Sequence, residues 1–163
     1  MAFWNPWHGC VKYSEGCENC YVYRRDLSVG RDASAVQKTA AFYDPIKLNK
    51  NKEYKMPGGS TVYACMTSDF FIEEADNWRD EIWRMIHKRQ DVRFNIITKR
   101  ITIAGKRLPD NWGEGYENVT LGCTVENQKQ ADIRLSVFKD FPAKYKFIIC
   151  EPLISGIDMS KYL

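Results

Sequence analysis

Cys10, Cys17 and Cys20 are the residues of this chain whose type and spacing best suit chemistry. They follow the pattern Cys-x6-Cys-x2-Cys. The short gap lets a tight turn aim Cys17 and Cys20 at one centre, and the longer gap lets Cys10 reach the same place. Gly9 and Gly16 each precede a cysteine, which suits close backbone approach. Three thiolates rather than four is the informative number. A structural zinc site closes with four ligands, whereas a 4Fe-4S cluster held by three cysteines leaves one iron open to a substrate or cofactor. His8 keeps a second option alive, a zinc site of three cysteines and one histidine, and a third option is that the thiols bind no metal. Cys65, Cys123 and Cys150 fall in apolar runs. A buried free cysteine behaves as a small apolar residue, so these three read as core.

The chain that carries these thiols has 163 residues, enough for one domain with its own core, read here as 1–163 with a cluster loop at about 8–25. Its 24 basic and 21 acidic residues leave a net charge of +3, which neither demands nor excludes a polyanionic partner. No apolar run approaches the roughly 18 residues of a membrane span. The segment Met1 to Pro6 lacks the basic-then-apolar order of a signal peptide. The expected compartment is the cytoplasm, where spaced cysteines read as metal ligands before they read as disulfides.

The elements that must position the thiols become regular only after the turn at Met56-Pro57-Gly58-Gly59. The first 25 residues have no periodicity and read as a loop built around something. Arg24 to Lys55 is polar and mixed. Then Thr61–Thr67, Val92–Thr98, Asn118–Val125 and Tyr145–Cys150 predict strands. Asp76 is expected to cap a helix with Trp78, Ile82, Met85 and Ile86 on one face, and Glu126–Lys139 predicts a helix with Ala131, Leu135 and Phe138 on one face. A short basic segment and a turn-rich stretch, Pro109–Gly115, lie between. The segment before Cys10 supplies an additional first strand. Alternating strands and helices predict an α/β fold, a parallel sheet of βα units with right-handed crossovers. Functional residues in such sheets gather at the carboxyl ends of the strands. Those ends carry Ser68 and Asp69, Thr98 to Arg100, Thr124 to Asn127, and Glu151.

These residues resemble a known set. Trp4-Asn5-Pro6, then Gly9-Cys10 and Gly16-Cys17-Glu18-Asn19-Cys20-Tyr21, resemble the phage-associated three-cysteine-motif family, which is similar to radical S-adenosylmethionine (radical SAM) proteins. The likeness continues in order through Ser68-Asp69-Phe70-Phe71, Thr98-Lys99-Arg100, Gly122 to Asn127, and Glu151-Pro152-Leu153. It implies a partial (βα)6 radical SAM-like barrel, with the cluster in the loop after the first strand. It implies a 4Fe-4S cluster on Cys10, Cys17 and Cys20 whose open iron chelates S-adenosylmethionine, with zinc as the alternative metal. Reductive cleavage would then give a 5′-deoxyadenosyl radical. Cofactor-binding residues would be Ser68, Asp69, Thr124, Glu126, Asn127 and Tyr21, with Asp69, Arg100 and Glu151 as catalytic candidates. A phage setting implies nucleic-acid modification or repair in the cytoplasm of a bacterial or phage-infected host cell.

Three departures stand beside the likeness. The first cysteine gap is six where radical SAM proteins commonly have three. Asn19 stands where an aromatic usually precedes the last cysteine, and Tyr21 follows it instead. The chain also stops at Leu163, where related proteins continue, so the barrel is expected to lack its last strand or strands. An unpaired sheet edge predicts a second chain or self-association to cover it.

Basic and aromatic residues interleave at Tyr21–Arg25 and at Trp83–Arg89. Such runs stack on bases and meet phosphates, or else form a solvated helix face over core aromatics. The alternative to an enzyme is a non-catalytic zinc- or cluster-stabilised module that binds nucleic acid or protein. A Ser-His-Asp mechanism is disfavoured by the presence of only two histidines. Met56–Gly59 lacks the Lys-Ser/Thr ending of a phosphate loop.

Overall fold

The computed structural model describes residues 2–162. In chain order the elements are β1 (Ala2–Trp4), β2 (Trp7–His8), α1 (Tyr21–Ser28), β3 (Gln37–Lys38), β4 (Thr61–Ala64), α2 (Asp76–Lys88), β5 (Arg93–Thr98), α3 (Ile101–Ala104), β6 (Val119–Thr124), α4 (Gln128–Phe138) and β7 (Tyr145–Ile149). Five strands form one sheet in the order β1-β4-β5-β6-β7, and every pair is parallel. This is the predicted α/β class. The four strands read from β-branched, apolar runs are all present, and so is the additional first strand, as β1.

Burial alternates along these strands as the pleat requires. In β5, Phe94, Ile96 and Thr98 are buried while Asn95 and Ile97 are half-buried. Register places Val62, Phe94 and Val119 side by side, then Ala64, Ile96 and Leu121. These form one packed face, and full burial of each large apolar side chain contributes about 1.5–3 kcal/mol. Ile82, Trp83, Met85 and Ile86 of α2 join the same core, as do Ala131, Leu135 and Phe138 of α4. The predicted apolar faces of both helices are therefore correct, with Trp78 only partly buried at the core's margin.

Several expectations are corrected. Asp76 does not cap α2. A 3-10 turn, Glu73–Ala75, winds straight into the helix, Ala75 takes the cap position, and the Asp76 carboxylate pairs with Arg79 and Arg107. The basic segment after β5 contains α3, held by buried Ile101 and Ala104. The segment read as a loop before residue 25 already contains the start of α1, and the polar stretch after it contributes β3, which pairs antiparallel with β2. Within the second basic and aromatic run, Trp83 is buried against Phe70 and Trp112, with ring centroids 4.8 and 5.1 Å away. Arg89 is buried too, bonded to Asp91 and to the carbonyls of Pro45 and Met56. Neither side chain is presented to a base or a phosphate.

Candidate cluster site

β1 and then β2 lead the chain to Cys10, and the segment from there to α1 lines one cavity with residues at the carboxyl ends of β5 and β6. Two glycines permit this path. Gly9 has φ of +92°, and a Cβ there would run into the backbone carbonyl of Ala35. A Cβ on Gly16 would stand 3.0 Å from the Glu126 carboxyl carbon. The expectation that both glycines serve close backbone approach is met. Cys10 is further fixed by its N–H, which donates to the Ala33 carbonyl at 2.8 Å. Its carbonyl accepts from the Tyr23 hydroxyl at 2.5 Å.

Cys10, Cys17 and Cys20 all line one cavity of about 540 Å³, within the size range of small-molecule sites. All three are free thiols and half-buried. Burial pushes the Cys10 thiol up to about 12; the Asp69 charge adds to this and Arg100 pulls against it. Without a bound cation this thiol is therefore neutral at physiological pH. The Arg100 guanidinium lies 3.8 Å from the Cys10 sulfur and donates to the Val11 carbonyl at 2.6 Å. Cations and N–H donors beside ligating sulfurs tune iron–sulfur centres. Among the described residues, no three His, Cys, Asp or Glu side chains converge as ligands of a single metal ion.

The polar residues read from the strand ends divide into two groups. Tyr21, Ser68, Asp69, Thr98, Lys99, Arg100, Thr124 and Glu151 line the same cavity as the cysteines. Asp69 is buried, and its two oxygens accept from the Thr98 hydroxyl at 2.7 Å, the Phe71 N–H at 2.9 Å and the Lys99 N–H at 3.0 Å. Its ion pair with Arg100 spans 3.5 Å. Asp69 thus ties the end of β4 to the end of β5 and holds the guanidinium toward Cys10. Ser68 donates to the Gly9 carbonyl at 2.5 Å. Lys99 reaches the Glu151 carbonyl at 3.2 Å.

Glu126 and Asn127 stand apart. They do not line the cavity. The Asn127 side chain caps α4, accepting from the Gln130 N–H at 2.9 Å. Glu126 is fully buried in an ion pair with Arg134 at 2.7 Å, and it accepts from Ser14 and Gly16. His8 is also elsewhere: its Nε2 meets Asp26 at 2.5 Å, facing a different cavity.

Of the other cysteines, Cys123 is buried in β6 as core. Cys150 is half-buried against the core and lines a separate cavity with Phe138 and Met159. Cys65 is buried as expected but follows β4 with φ of +60° and lines the cavity. Burial pushes its thiol well above the usual range.

Arg134 and Ser14 escaped the sequence reading. A signal existed for the first: position 134 falls among Ala131, Leu135 and Phe138, and a charged residue on an apolar helix face must find a buried partner. A family model described as "Protein of unknown function (DUF5131)" matches residues 1–162. No curated protein and no solved structure matches the chain.

Proposed function

We propose that this chain, which belongs to the DUF5131 family of proteins of unknown function, is an iron–sulfur protein that works as a radical SAM-like enzyme. One observation carries the proposal: three free thiols, from a three-cysteine motif, line one cavity above the carboxyl ends of parallel strands. The donor set fits a 4Fe-4S cluster. Such a cluster places its irons at separate corners, so its thiolates need not converge on one point as the ligands of a single tetrahedral zinc must. Cys10, Cys17 and Cys20 would hold it, and no fourth thiolate of the motif competes for the remaining iron. When bound with S-adenosylmethionine, the cluster would supply the electron for reductive cleavage and hence a radical that abstracts hydrogen.

The chain's own residues position and shield this chemistry. Arg100 places positive charge beside the Cys10 sulfur, and Asp69 keeps Arg100 there. Val22, Met66, Ile97 and Ile154 give the cavity part of an apolar wall. Tyr21 stands half-exposed at the mouth, its hydroxyl bonded to the Met66 carbonyl, so its ring offers a stacking face. Thr124, Ser68 and the Glu151 carboxylate remain as polar contacts for a cofactor or substrate. Arg24, on α1 with Tyr21, also lines the cavity. That aromatic and cationic pair supports a nucleic-acid substrate, as does the likeness to the phage-associated three-cysteine family.

The test is anaerobic purification or reconstitution, with iron, sulfide and zinc assayed and absorbance recorded before and after S-adenosylmethionine. The expected result is a brown, iron-loaded protein with a charge-transfer band that shifts on addition, and cleavage of S-adenosylmethionine on reduction. Stoichiometric zinc without iron would sink the proposal.

The β7 edge of the sheet has no strand beside it among the described residues, and Tyr145 there is exposed. We propose that a second chain, or a second copy, pairs along this edge. Light scattering should then report a mass above that of one chain; a monodisperse monomer at micromolar concentration would count against it. No described helix is long and apolar enough to cross a membrane, and action in the cytoplasm is part of the proposal.

A further inference from the structure

The six residues between Cys10 and Cys17 are fastened at almost every position. The Val11 carbonyl is held by Arg100 at 2.6 Å. The Tyr13 ring lies under the Arg100 guanidinium at 4.7 Å and the Arg134 guanidinium at 5.6 Å, and its hydroxyl meets Thr102 at 3.1 Å. Ser14 donates to Glu126 and accepts from Arg134 at 2.8 Å. The Glu15 carboxylate takes bonds from Lys129 and Gln130 at 3.1 and 3.0 Å. The Gly16 N–H points at Glu126 from 3.4 Å. At the centre is one buried ion pair, with Glu126 and Arg134 side chains 0% and 1% exposed. Arg134 donates a further N–H to the Thr124 carbonyl at 2.8 Å.

We infer that Glu126 and Arg134 are positioning residues: a buried latch that grips Ser14 and Gly16, and so holds the long Cys10–Cys17 arm in its ligating shape before any metal arrives. A buried ion pair adds little net stability, because desolvation offsets most of its attraction; its attested use is to specify one arrangement among several. Here the arrangement specified is the path of the arm. A longer gap between ligands costs more chain entropy to order. The latch meets that cost during folding instead of during metal binding, which is preorganisation. The inference deepens the cluster reading, since a ligating shape presupposes a metal, yet its first readout needs no metal at all.

That readout is amide hydrogen exchange of the chelator-treated, metal-free protein. Protection at residues 14–17 is expected in the wild type, where the Cys17 N–H bonds to the Ser14 carbonyl at 2.8 Å. Glu126→Gln is the direct variant, but it strands a buried guanidinium and risks unfolding. Ser14→Ala leaves the ion pair whole and removes only its side-chain grip on position 14. It should raise exchange at 14–17 about tenfold, the size expected for losing one charge-assisted hydrogen bond, while exchange in β5 and β6 stays unchanged. In iron-loaded protein the same variant should lose iron to a chelator faster, at unchanged iron content when saturated. Free-chain exchange across 11–17 in the metal-free wild type would overturn the latch, as would unchanged exchange in Ser14→Ala. A protected arm in a protein that never binds iron would retain the latch and defeat only the cluster reading.

Discussion

Cys17→Ala should reduce the iron bound after reconstitution by more than about tenfold, since a lost ligand costs at least as much as the ten- to hundredfold loss typical of outer-shell partners. Cys17 lines the cavity with Cys10 and Cys20 and is engaged in no disulfide. Its side chain is half-buried in a 3-10 turn rather than in the core, so its removal should leave the fold intact. Circular dichroism and the urea midpoint should stay close to wild type while iron and the visible absorbance disappear. Cys150→Ala is the matched control. That thiol lines a different cavity with Phe138 and Met159, and its loss should leave iron content unchanged. Equal iron in Cys17→Ala and wild type would remove the motif from the metal site.

Asp69→Ala should be the most damaging single change to the cavity wall, costing about 3–5 kcal/mol of folding stability. The reason is the partners it abandons. The buried carboxylate satisfies the Thr98 hydroxyl and the N–H groups of Phe71 and Lys99, and it balances the Arg100 charge. Alanine leaves that guanidinium buried without a counter-charge and strips the Thr98, Phe71 and Lys99 donors of their acceptor. A melting temperature lower by roughly 10 °C is expected for a chain of this size. Asp69→Asn keeps the volume and should cost less, while still releasing Arg100 from its orientation toward Cys10. A variant as stable as wild type would show that solvent reaches this wall, and would remove Asp69 from its structural role.

The parts of the molecule legible in the sequence are those whose signal is local. β4 to β7 announce themselves because each is a short apolar, β-branched run bounded by turn residues. α2 and α4 do so through apolar spacing near 3.6 residues. α1 was illegible because its buried residues are only Val22 and Asp26, so it has no apolar stripe to read. It is held by contacts remote in sequence, His8 on Asp26 and Tyr23 on the Cys10 carbonyl. The β2–β3 ribbon likewise depends on pairing between segments far apart in the chain.

The site divides the same way. That strand ends gather around the cysteines follows from topology, which alternation of elements reveals. Which polar residue faces the cavity does not, because a turn after a strand can rotate a side chain through any angle. Thr124 looks into the cavity, while Glu126 turns to Arg134 and Asn127 turns back to cap α4. A motif that groups these residues together cannot separate those roles; only the position of Arg134 on an otherwise apolar helix face hints at where Glu126 goes.

The spatial order of the parallel sheet, β1-β4-β5-β6-β7, repeats the order of its strands in the chain. During synthesis the sheet can therefore assemble from one side, each new strand docking on the one made before it. The thiols lie between β2 and α1, near the start of the sequence, whereas Glu126 and Arg134, which bond to the arm between two of them, come far later. Until those later residues are made, the arm between Cys10 and Cys17 lacks the partners that Glu126 and Arg134 supply. If the three thiols hold the proposed cluster, that interval is when oxidation does most harm, and the yield of iron-loaded protein should then depend on the redox state of the cell during translation.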